Sequence, residues 1–138
     1  MEVREAKKQF RAIEDIEIWQ RACRLAMNIY TTVDNSELKK KWSLGDQMTR
    51  AAVSIPSNIA EGYERNSPNE FVRFLRIAKG SCAELRTQLY LAKGLGFITA
   101  ESVESLLTEC KRLSGMIQNL IGHVRSIDTW KRGQVLDG

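Results

Sequence analysis

The one histidine of the chain, His123, sits between Gly122 and Val124 beside an apolar seam, where an imidazole can act as base or metal ligand. Di-metal helical bundles use Glu-x-x-His pairs, and the position three before His123 holds Leu120. Helical-bundle ribonucleases of the HEPN type place an arginine a short way before their histidine, where this chain has Met116, Ile117 and Gln118. Neither chemistry is supported. Cys23, Cys82 and Cys110 fall on or beside apolar stripes, where a thiol packs as a small hydrophobe and its nucleophilic thiolate is disfavoured. Glu61 and Glu64, three apart and near Arg65, read as partners in solvated ion pairs. No phosphate-binding glycine loop, nucleophile elbow or HExxH string occurs, and Gly94 and Gly96 follow a helix and stop it. No catalytic residue, metal or cofactor is expected, and the chain reads as a non-enzyme.

A different chemistry is carried by cations. Lys79, Arg86 and Lys93 repeat every seven residues, and Arg73 and Arg76 extend the charge towards the start of the same segment. Such a row either flanks a helical core and pairs with acids on a neighbour, or contacts phosphates. Arg50, Arg65 and the run at 39–41 add positive charge elsewhere. The candidate phosphate-binding set is therefore Arg50, Arg65, Arg73, Arg76, Lys79, Arg86 and Lys93. The basic row is read as carrying no interleaved aromatic residues, so base stacking and sequence-specific reading of a single strand are not expected. Ile77, Leu91 and Leu95 share a second face of that segment, which a lone bundle would leave wet; they are the candidate oligomer interface.

The elements that must position these residues are helical. Ile18, Trp19, Ala22, Leu25, Ala26, Ile29, Tyr30 and Val33 recur at three and four, marking a first helix. A polar stretch at 34–41 reads as a loop. Leu44, Met48, Ala51, Ala52, Ile55, Ile59 and Tyr63 form the stripe of a second helix, with Pro56 inside it and a kink expected there. Ser67, Pro68 and Glu70 combine a capping box with proline at the first helical position. The third helix then holds a seam of Phe71, Leu75, Ala78, Cys82, Leu85, Leu89 and Ala92. Gly96 suits a left-handed ending with Phe97 folded back, and Thr99 caps a fourth helix with the seam Val103, Leu106, Cys110, Leu113, Ile117, Leu120 and Val124. The expected fold is all-α, an antiparallel up-down-up-down four-helix bundle over 15–126, with a flexible arm at 1–14 and a flexible tail at 127–138.

Composition agrees with one such domain: 138 residues, 43% hydrophobic and 28% charged, with a net charge of +4 that suits a polyanionic partner without requiring one. Three cysteines without a CxxC pair, and no apolar run long enough for a membrane span, suit a reducing cytoplasm.

The run AAVSIPSNIAEGY at 51–63, with EFVRFLRIAKGS at 70–81 and ELRTQL at 84–89, closely resembles bacterial four-helix bundle proteins encoded in intervening sequences of 23S ribosomal RNA genes. EDIEIWQ at 14–20 resembles the family's opening motif and LGFI at 95–98 its third-helix ending. The resemblance, covering about 13–125, implies a ring-like homopentamer related to the accessory variability proteins of diversity-generating retroelements. Those relatives are basic barrels that bind nucleic acid and a reverse transcriptase. It implies no reaction and no cofactor. Two functions are therefore expected to compete: nucleic-acid binding through the basic row, structured RNA or duplex DNA alike, and a scaffold that docks a partner enzyme such as a reverse transcriptase. Within the motif, Ser54, Pro56, Ser57, Asn58 and Glu61 read as structural, with Asn58 placed to tie two helices together.

Overall fold

The computed structural model describes residues 12–126, so the residues before 12 and after 126 of the expected arm and tail lie outside the described residues. Helix α1 spans Glu17–Asp34, α2 Trp42–Glu64, α3 Pro68–Gly94 and α4 Ala100–Arg125. A one-turn 3-10 helix at Ile13–Asp15 precedes α1, and the expected boundary between arm and bundle falls inside it. Each helix packs on the next along the chain, and α1 also packs on α4, which closes an antiparallel four-helix bundle. Arg21 of α1 reinforces that closure, reaching Glu109 of α4 at 3.1 Å while also pairing with Glu17 of its own helix.

The periodic positions do what their spacing requires. Leu25 and Ile29 of α1, Met48, Ile55 and Ile59 of α2, Phe71, Leu75, Leu85 and Leu89 of α3, and Leu113 and Ile117 of α4 are all fully buried in one core. Local chemistry sets the ends. Ser67 accepts the Glu70 N–H through its hydroxyl at 3.3 Å, with Pro68 opening α3. Thr99 does the same for Ser102 at 3.2 Å. Gly96 takes φ +75° after α3, its N–H donating to the Lys93 carbonyl at 3.0 Å and that of Phe97 to Ala92 at 2.9 Å, the two bonds of a Schellman ending. In the α2–α3 turn Asn66 adopts φ 54°, a left-handed position that asparagine tolerates.

Three local expectations are revised. The polar segment at 34–41 is not plain loop, because Glu37–Lys39 forms a 3-10 turn whose Leu38 is fully buried. Glu70 does not complete a reciprocal capping box; its carboxylate meets Arg73 at 2.8 Å and Arg65 at 3.9 Å, since two guanidiniums outcompete one backbone N–H. Asn58 does not join two helices. Its side chain donates back to the Ser54 carbonyl at 2.8 Å and hydroxyl at 2.9 Å, and Ser54 makes the bond across, 2.8 Å to the Ser81 hydroxyl of α3. Pro56 stays inside α2 without ending it and is buried.

Small residues let α2 and α3 approach. A Cβ on Gly62 would lie 2.6 Å from the Phe74 Cβ and 3.2 Å from Phe71 Cδ1, so the motif glycine is a contact surface for α3.

Candidate functional site

Along α3, Lys79, Arg86 and Lys93 rise about 10.5 Å from one to the next. On α4 the same spacing recurs in Lys111, Gln118 and Arg125. Lys79 Nζ donates to Gln118 Oε1 at 2.8 Å and Lys93 Nζ lies 3.6 Å from Glu104 Oε1. These two contacts set the antiparallel register, so Arg86 and Lys111 stand at one level between them. The two heptad rows thus border one seam.

The structure separates the seven candidate cations by what they touch. Arg50 pairs with Asp46 at 2.9 Å and Lys93 with Glu104. Arg65 pairs with Glu61 at 2.9 Å and lies 5.0 Å from the Phe74 ring centre. Arg73 meets Glu70 and lies 4.5 Å from that same centre, and its hydrogen bond holds the Glu70 carboxyl below the usual carboxylate range. For these four the reading as helix-flank ion pairs is the one observed.

Arg76, Lys79 and Arg86 differ. None has a carboxylate partner among the described residues, and together with Gly80, Ala83, Ser114 and Gln118 they line one groove of about 390 Å³ between α3 and α4. Arg76 is exposed, Lys79 and Arg86 half-buried. The Arg86 Nε is fully buried and has no hydrogen-bond partner. An unmade hydrogen bond on that one atom costs free energy, while the rest of the half-buried residue borders the groove, where its guanidinium can meet an anion. Ser114 and Gln118 bring a hydroxyl and a carboxamide to the same wall, and Gly80 opens the floor, since a Cβ there would meet nothing within 4 Å. What the arrangement can do is hold a phosphate. Lys111 and Arg125, absent from the candidate set, border the same seam; the signal for them is the same seven-residue spacing, repeated on α4.

Arg86→Met keeps the apolar stem and removes the unpaired group, and is expected to leave unfolding free energy unchanged or raise it by about 1–3 kcal/mol. Urea titration checks this; a loss of stability would mean that Arg86 is a structural residue.

The thiols are packing groups. Burial pushes Cys82 up to about 11 and Cys110 up to about 12, and the Arg86 charge opposes the shift at both without overcoming it. Because these thiols hold their protons more tightly folded than unfolded, stability is expected to fall as pH rises from about 9 towards 12. Burial raises the Cys23 thiol as well, with Arg24 opposing it, but Cys23 is only half-buried; iodoacetamide at pH 8 is expected to label it first and Cys82, held up to about 11, more slowly, as peptide mass spectrometry will read. Among the described residues no group of three or more His, Cys, Asp or Glu is placed to hold a metal ion, and His123 stands exposed on α4. No helix among them is long and apolar enough to cross a membrane.

A larger open concavity, about 740 Å³, lies where the ends of α1 and α3 meet the start of α4. Its lining is Thr31, Thr32, Asn35, Ser36, the 96–99 turn and Ser102, with Glu37 the one charged side chain among them, so it brings no cation to a polyanion. Ile77, Leu91 and Leu95 are exposed as expected, at 42%, 52% and 61%.

The described residues form a four-helix bundle with a basic groove between α3 and α4. The profile of the family described as 23S rRNA-intervening sequence protein matches residues 14–119, and the chain belongs to that family. In fold it is similar to a crystal structure from Bacteroides thetaiotaomicron VPI-5482, a protein with unknown function from the S23 ribosomal protein family. That likeness has a TM-score of 0.70 at 23% identity, covering 75% of this chain and 97% of the other. No curated protein matches the sequence.

Proposed function

We propose that this protein is a non-enzymatic, oligomeric bundle that binds nucleic acid, structured RNA or duplex DNA, through phosphate contacts in the α3–α4 groove. One observation carries the reading: Arg76, Lys79 and Arg86 line one groove with no carboxylate partner among the described residues. Phosphate contacts of this kind position a strand without reading its sequence. Self-association is supported by three large apolar side chains left exposed, Ile77 and Leu91 on α3 and Leu95 just past its end. A homopentameric ring, as the family resemblance implies, would repeat the groove five times and add avidity to a modest single site. The kinship with accessory variability proteins of diversity-generating retroelements that the family resemblance implies would make a reverse transcriptase the protein partner. The proposed compartment is the cytoplasm, where three free cysteines stay reduced.

Fluorescence anisotropy of labelled structured RNA and duplex DNA, with the oligomer sized by sedimentation, tests the reading. Binding at about 50 mM salt that weakens steeply by about 200 mM is expected, and Arg86→Met should weaken it while the fold holds. Absence of binding at low salt would sink nucleic-acid binding and leave the scaffold function.

A further inference from the structure

Tyr90 lies on α3 four residues after Arg86, three before Lys93 and seven after Ala83 of the groove floor. These spacings put it on the groove's face, about 6 Å along the helix from Arg86. Its neighbours Leu89 and Ala92 are fully buried, whereas Tyr90 is 50% exposed. The bundle core therefore does not use the ring as its neighbours are used. An exposed aromatic face beside a cation with no carboxylate partner is the combination that single-strand binding surfaces employ: cations follow the backbone while a base stacks on the ring. Tyr90 thus stands, exposed, between Arg86 and Lys93 along the row for which no base stacking is expected from the sequence.

Resting on the phosphate-binding reading above, we infer that Tyr90 is a stacking platform for one unpaired nucleobase whose adjoining phosphate is held by Arg86 and Lys79. The ligand class is then a single-stranded or bulged segment of RNA or DNA, in preference to an uninterrupted duplex, whose bases are already stacked on one another and present no free face. The 6 Å offset lies within the span of a single nucleotide. Gly80 and Ala83 keep the floor low enough for the sugar-phosphate chain to pass between the cations and the ring. Recognition remains sequence-tolerant, because every base has a stacking face.

The test compares one mixed-sequence DNA strand with its blunt duplex, each labelled, against the full chain, Tyr90→Phe and Tyr90→Leu, with oligomer size measured for all three. The unsubstituted protein should prefer the single strand. Tyr90→Leu should weaken single-strand binding about five- to a hundredfold, leave duplex binding within about twofold, and leave oligomer size unchanged; Tyr90→Phe should retain the preference. Equal losses on both ligands, no loss on either, or a change in oligomer size with Tyr90→Leu would overturn the inference while leaving the groove intact. Failure of the unsubstituted protein to bind either ligand would overturn the groove reading itself, and this inference with it.

Discussion

Replacing Arg76 and Lys79 by Glu and Arg86 by Gln in one variant is expected to lower nucleic-acid affinity more than about a hundredfold at ~0.1 M salt. The groove changes from three positive charges to two negative ones, and each lost charge-assisted phosphate contact is worth about 1.5–3 kcal/mol, with every 1.4 kcal/mol a factor of ten. Arg76 is exposed and Lys79 half-buried, and glutamate and glutamine are good helix formers, so α3 should persist and circular dichroism should be unchanged. The matching control is Arg50→Gln, Arg65→Gln and Arg73→Gln together. Those cations already neutralise Asp46, Glu61 and Glu70, and their loss should cost about threefold or less, in line with the small value of exposed ion pairs. Equal losses in both variants would assign binding to diffuse net charge and not to the groove.

The second large effect is on stability. Gly62→Ala is expected to destabilise the bundle by about 1–3 kcal/mol, because the new methyl would stand 2.6 Å from the Phe74 Cβ. That atom is fixed to the α3 backbone and cannot swing aside, so α2 and α3 must move apart at the turn through Asn66. Gly122→Ala supplies the contrast. It also lies inside a helix, and a Cβ there would meet nothing within 4 Å, so alanine should stabilise by about 0.5–1 kcal/mol through helix propensity alone. Thermal or urea unfolding of the two variants should shift in opposite directions. A neutral Gly62→Ala would mean that the α2–α3 contact is looser than its geometry.

What was readable in the sequence follows the range of the forces involved. The starts of α3 and α4 and the end of α3 were legible because Ser67, Pro68, Gly96 and Thr99 act on backbone groups a few residues away. The seams were legible because burial against one partner face imposes a period. Leu38 was not: one apolar residue in a polar run has no period, and its burial depends on how the α1–α2 connection folds onto the core. The candidate site was half legible. The heptad of Lys79, Arg86 and Lys93 could be read, whereas the pairing of Arg73 with Glu70 is hidden behind the capping-box spacing of Ser67 and Glu70. Which cations stay free could not, since Lys93 finds Glu104 and Lys79 finds Gln118 only through the register of α3 against α4. Arg86 shows the limit best. Its spacing matches that of its neighbours, and only packing between two helices leaves its Nε buried without a partner.

The most direct measurement is the slope of log affinity against log salt for nucleic acid on the unsubstituted protein and on the groove variant. Three phosphate contacts in a groove predict a slope of about −2 to −3 for each occupied groove, collapsing towards zero when Arg76, Lys79 and Arg86 are replaced. A shallow slope on the unsubstituted protein, or a steep one that survives those replacements, would contradict a phosphate-binding role for the α3–α4 groove.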